Sequence, residues 1–96
     1  MNEVEKITEE LILREFQMEK GANKEAILQA LTQAIIVLLL RDLEKLWNIL
    51  YRIDVNERKV KALFDKSNPQ EIAPEMAKLI YERMEQKAIS RIQYRS

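Results

Sequence analysis

The chain contains neither histidine nor cysteine in its 96 residues. Losing histidine removes the commonest general acid–base group, and losing both removes every metal arrangement built on imidazole or thiolate. A ferritin-like carboxylate bundle, which needs Glu-x-x-His pairs, is excluded with them. One glycine and two prolines leave no material for a phosphate-binding loop, a dinucleotide fingerprint or a G-x-S-x-G elbow, and little for hairpin turns. Ser67, Ser90 and Ser96 have no imidazole to activate them and read as loop, surface and terminal residues. A membrane-length run is also missing. Residues 26–40 carry no charge, but this run contains Gln29, Thr32 and Gln33 and falls short of the roughly 20 apolar residues that a spanning helix needs, so it predicts a buried helix. The first twenty residues mix Glu with Lys and Arg, so no signal peptide is expected; together with the lack of cysteine, this predicts a cytoplasmic protein.

Charge of one sign is absent too. Sixteen basic residues balance sixteen acidic ones, so no net field draws the chain to phosphate or to anionic lipid. Locally, residues 1–25 hold four basic against seven acidic groups and residues 41–66 hold seven against five. A gradient this mild reads as a solvated mixed surface.

What is present is helix-forming sequence, rich in Glu, Lys, Leu, Ala, Gln and Arg. The expected fold is all-α, a single-domain bundle of four to five helices. Asn2 and Glu5 resemble a capping box opening the first helix, with Val4, Ile7, Leu11 and Met18 on one stripe, Ile12 and Phe16 beside it, and Lys20 and Gly21 at its end. Asn23 caps a second helix whose stripe is Ile27, Leu31, Ile35 and Leu38. The stripe of Leu43, Leu46, Trp47 and Leu50 points roughly 110° away from it at about 100° per residue, which predicts a break between Leu40 and Asp42, with Asp42 as the new cap. Asp54 or Asn56 caps a short fourth helix with Val60, Leu63 and Phe64 inside, and Ser67, Asn68 and Pro69 form a loop. Pro74 is unsuited to a helix interior, so one turn over 69–73 and then a long helix from Pro74, burying Met76, Leu79, Ile80 and Met84, are expected. Beyond Gln86 the periodicity weakens, and residues 87–96 read as a basic, frayed tail.

The blocks LWNILYRIDVNERKVKALF (46–64) and IAPEMAKLIYERMEQKAISR (72–91) resemble a group of small helical bacterial proteins of unknown function. In that group an LYRIDV-like run, a short Val- and Lys-bearing helix, and an IAP segment leading into a long basic helix recur in this order. The resemblance implies bacterial origin and a helical fold, and it assigns no activity.

Carboxylates are the remaining source of chemistry. Glu9 and Glu10 are adjacent and point about 100° apart on a helix, so they cannot share a ligand. Asp54 and Glu57 stand where a cap and a first-turn acid belong, and DVNERKVKALFD (54–65) lacks the central glycine of a calcium loop. No catalytic residue, metal site, cofactor or small-molecule substrate is expected, and the chain is expected not to be an enzyme. Trp47 and Tyr51, spaced i, i+4 beside Arg52, are candidate partner anchors, although Trp47 also fits the core. Arg83, Lys87, Arg91 and Arg95 are spaced as a basic ridge that a nucleic-acid-associated regulator would use, with Glu82 and Glu85 interleaved. On the second helix, Gln29, Gln33, Ile36 and Leu40 run opposite the buried stripe, so that side begins polar and ends apolar. An apolar end uncovered by its own chain marks an interaction surface. The function expected is a protein–protein interaction module that self-associates as a homodimer, with Ile36 and Leu40 at the seam.

Overall fold

The structure, a computed structural model, describes residues 1–66 and 68–95. Ser67 and Ser96 lie outside the described residues. Five helices follow one another: α1 (Glu3–Glu15), α2 (Lys24–Arg41), α3 (Leu43–Ile53), α4 (Glu57–Leu63) and α5 (Pro69–Gln93). There is no strand among the described residues.

Each helix starts at an Asn or Asp whose side-chain oxygen accepts the backbone N–H three residues on. Asn2 accepts from Glu5 at 2.8 Å, Asn23 from Ala26 at 2.9 Å, and Asp42, Asn56 and Asn68 from Lys45, Lys59 and Glu71 at 3.1 Å. Such a cap contributes about 1 kcal/mol by satisfying a donor that the helix itself leaves free. Asp42 ends α2 and starts α3 with no loop between them, at the predicted break. Asp54 does not cap α4. It ends α3 in the left-handed region at φ 61°, where a short polar side chain is tolerated. Asn68 belongs not to a loop but to the start of α5, with Pro69 at the first helical position.

α5 is the spine on which α1 and α2 pack most extensively, with α3 and α4 covering its remaining flank. Ile72, Ala73, Met76, Ala77, Ile80, Tyr81, Met84 and Ala88 form its buried face. Ile12 and Phe16, Ile27, Leu31 and Ile35 of α2, Leu46, Ile49, Leu50 and Ile53 of α3, and Val60 and Leu63 of α4 close over it. The radius of gyration is 13.1 Å, close to the ~13 Å of a compact chain of about 100 residues.

Several expectations are corrected. α1 stops at Glu15, and Phe16 leaves the helix in extended geometry to turn its ring into the core. Met18, expected on the α1 stripe, therefore falls in the linker. Gly21 does not end a helix in the left-handed region; it allows a close approach, since a Cβ there would stand 2.7 Å from the Ile27 backbone nitrogen. The fully inward side of α1 is Thr8, Glu9 and Ile12, while Val4, Ile7 and Leu11 are half-buried. Two polar residues can face inward because their groups are satisfied: the Thr8 hydroxyl donates to the Val4 carbonyl at 2.7 Å, and Glu9 accepts from the Gly21 N–H at 2.6 Å.

The inner face of α3 is rotated from the expected one. It is Leu46, Ile49, Leu50 and Ile53, with Leu43 exposed and Trp47 half-buried. Pro74 does not begin a helix. It lies inside α5 on the exposed side, five residues from the helix start, where the carbonyl that loses its partner is that of exposed Gln70 and can be hydrated. Nor does regular structure end at Gln86: α5 stays helical to Gln93, and Ala88 is buried.

Candidate functional site

α2 carries charge only at its ends, with Lys24 and Glu25 at the start and Arg41 at the close. Its inner stripe of Ile27, Leu31 and Ile35 is wholly buried, and Leu38 is half-buried. Its outer ridge is Gln29, Gln33, Val37 and Leu40, all exposed, with Val37 at 50% and Leu40 at 66%. Leu43, exposed at 42%, extends this apolar end onto α3. In a chain that is 33% charged, an exposed ridge of three turns without one charge is a departure from an ordinary solvated face.

Of the two seam residues expected, Leu40 is exposed, whereas Ile36 is half-buried and packs against the core. Val37 takes the exposed position instead. It stands four residues beyond Gln33 and three before Leu40, so the helical wheel could have shown it. Beside the ridge, Leu28, Gln29, Thr32 and Gln33 of α2 and Pro74 and Lys78 of α5 line a shallow groove of about 530 Å³. The Thr32 hydroxyl donates back to the Leu28 carbonyl at 2.7 Å.

Trp47 and Tyr51 share one depression of about 330 Å³ between α3 and α4, with Leu50, Asp54, Val55 and Arg58 among its walls. Trp47 stacks on Phe64 with ring centroids 5.3 Å apart and planes 20° apart, so it joins α3 to the end of α4. Tyr51 is 72% exposed. Neither residue lines the α2 groove.

The basic row on α5 is partly committed within the chain. Arg83 Nε donates to the Ile53 carbonyl at 3.0 Å, and its Nη2 stands 3.8 Å from Asp54, which makes it a clasp on the C-terminal end of α3. Arg95 pairs with Glu3 at 2.6 Å. Lys87 is half-buried, and Arg91 is exposed.

Nothing in the sequence distinguishes Tyr81 from its neighbours on α5. It is 1% exposed, its hydroxyl has no hydrogen-bond partner among the described residues, and the Lys24 ammonium lies 5.0 Å from its ring centroid. Burial raises its pKa above the ordinary 10.0, and the carboxylates of Glu85, Glu5 and Glu9 add to the rise. Among the described residues no three acidic side chains are grouped to hold a metal ion, and no helix is long and apolar enough to cross a membrane. Compared with known proteins, the chain matches no family model, no curated protein and no solved structure.

Proposed function

We propose that the chain is a non-catalytic helical module that acts by self-association, forming a homodimer through the outer ridge of α2. The observation that carries this reading is the uncharged, exposed ridge ending in Val37 and Leu40. Interface centres are depleted of charge because burying an ion without a partner costs several kcal/mol. A face already free of charge avoids that cost, and its apolar end gains about 25 cal/mol for each Å² removed from water. A two-fold homodimer is the commonest way for such a face to be covered. The absence of histidine and cysteine supports a role outside catalysis and suits a reducing compartment such as the cytoplasm. A nucleic-acid role draws less support, since Arg83 and Arg95 are already held by other residues of the chain.

Light scattering at micromolar concentration tests the proposal. The wild type is expected to have the mass of a dimer, and the double variant Val37→Glu with Leu40→Glu that of a monomer with an unchanged helical circular dichroism spectrum. Both sites are exposed, so the variant leaves the core intact. A monomeric wild type would sink the proposal, and a dimer that survives both changes would remove the seam from this ridge.

A further inference from the structure

Resting on that reading, we infer that the two copies of α2 run antiparallel about a two-fold axis between Gln33 and Ile36, so that Leu40 of each copy seats at the other's α2–α5 groove. Three observations converge on this register.

The first is spacing. Leu40 and Gln29 lie equally far from the midpoint of the ridge, about 8 Å to either side at 1.5 Å per residue. Gln29 is a wall of the groove. A two-fold axis at the midpoint therefore places the most exposed apolar residue of the ridge over the groove of the partner, and Val37 opposite Gln33. Leu40 loses its contact with water against Leu28, the Pro74 ring and the stem of Lys78, while the amides of Gln29 and Gln33 stay at the rim.

The second is charge. Glu25 lies in the first turn of α2 and Arg41 in the last, while Lys24 is turned away over the Tyr81 ring. An antiparallel pair brings each copy's acidic start towards the other's basic end and sets the helix dipoles head to tail. A parallel pair would place like ends side by side.

The third is area. A stable dimer removes about 800 Å² from each partner, roughly an eighth of the 6305 Å² surface of this chain. Contact confined to the Val37–Leu40–Leu43 corner would use only about 9 Å of helix length. The centred register overlaps residues 28–41 of α2 in both copies, about 21 Å of the ~27 Å of the helix, together with the adjoining edge of α5.

The absence of cysteine permits a direct test by single-cysteine variants. Gln29→Cys and Leu40→Cys chains, mixed and oxidised, are expected to form the mixed disulfide, and so are Gln33→Cys with Val37→Cys. Facing helices 8–10 Å apart bring such pairs within disulfide reach. Leu40→Cys alone is expected to remain uncrosslinked, because its two copies lie about 16 Å apart along the helices, beyond the ~7 Å limit on Cα separation. Circular dichroism checks that each variant keeps the fold, and the second pair guards against a loss of association caused by removing Leu40. Crosslinking of Leu40→Cys to itself, or failure of both mixed pairs while the wild type scatters as a dimer, overturns this register and leaves self-association standing. A monomeric wild type overturns both.

Discussion

The Glu9 carboxylate accepts the Gly21 N–H at 2.6 Å across twelve residues of chain, and Glu9 is 6% exposed. This bond fastens the linker between α1 and α2 to the side of α1. Glu9→Ala would leave a part-buried donor unpaired, and an expected loss of about 1–3 kcal/mol is measurable by urea denaturation. Gly21→Ala meets a different obstacle, since its Cβ would stand 2.7 Å from Ile27 N and 2.8 Å from Ile27 Cγ1. Overpacking of that kind costs about 1–3 kcal/mol. If Gly21→Ala were as stable as wild type, the close approach would not exist.

Tyr81→Phe should raise stability at neutral pH. The variant removes a buried hydroxyl that has no partner among the described residues and keeps the ring under Lys24, for a gain of about 1 kcal/mol. The pH dependence follows from the raised pKa. The native state holds the phenolic proton more tightly than the unfolded chain, so the stability of the wild type is unaffected by this group below pH 10 and falls as the pH climbs from there through the native value. Thermal melts at neutral pH and above pH 10 should show the wild type losing more stability with alkali than Tyr81→Phe. An equal loss in both chains would contradict the assignment.

Arg83→Ala should lower stability by about 1–2 kcal/mol, because the guanidinium satisfies the Ile53 carbonyl at the end of α3. Arg83→Lys should recover only part of this, as an ammonium lacks the planar fork. If the basic row instead serves nucleic acid, Arg91→Ala would weaken retention of labelled duplex in a salt-dependent way. The expected result is no retention by either chain at physiological salt.

Pro74→Ala should stabilise the fold. A proline inside a helix costs about 3 kcal/mol through the lost bond and the clash four residues back, against a gain of about 0.4–1 kcal/mol from stiffening the unfolded chain. With the cost reduced near the start of α5, a net gain of about 1 kcal/mol corresponds to a melting temperature roughly 4–8 °C higher. A lower melting temperature would mean that the Pro74 ring contributes packing that alanine cannot replace.

The helices and most of their starting points follow from local sequence. Caps at Asn2, Asn23 and Asp42 are legible because each joins groups three residues apart, while for α4 the sequence leaves Asp54 and Asn56 as equal candidates; the buried stripe of Ile27, Leu31 and Ile35 is legible because α2 bears no competing polar residue on that side. The candidate ridge was half legible: Leu40 stands out as an apolar residue opposite the stripe, whereas Ile36, expected beside it, is half-buried and Val37, for which nothing was expected, is exposed. Tertiary structure alone decided the rest. Whether Leu43 or Ile53 lies inward on α3, whether Glu9 can be buried, and whether Arg83 is a free cation or a clasp depend on groups far along the chain, twelve residues away for Glu9 and thirty for Arg83. Caps and periodicity are local energies within one turn. Burial is settled by which surfaces meet, and the Glu9 carboxylate enters the core where a donor twelve residues away satisfies it.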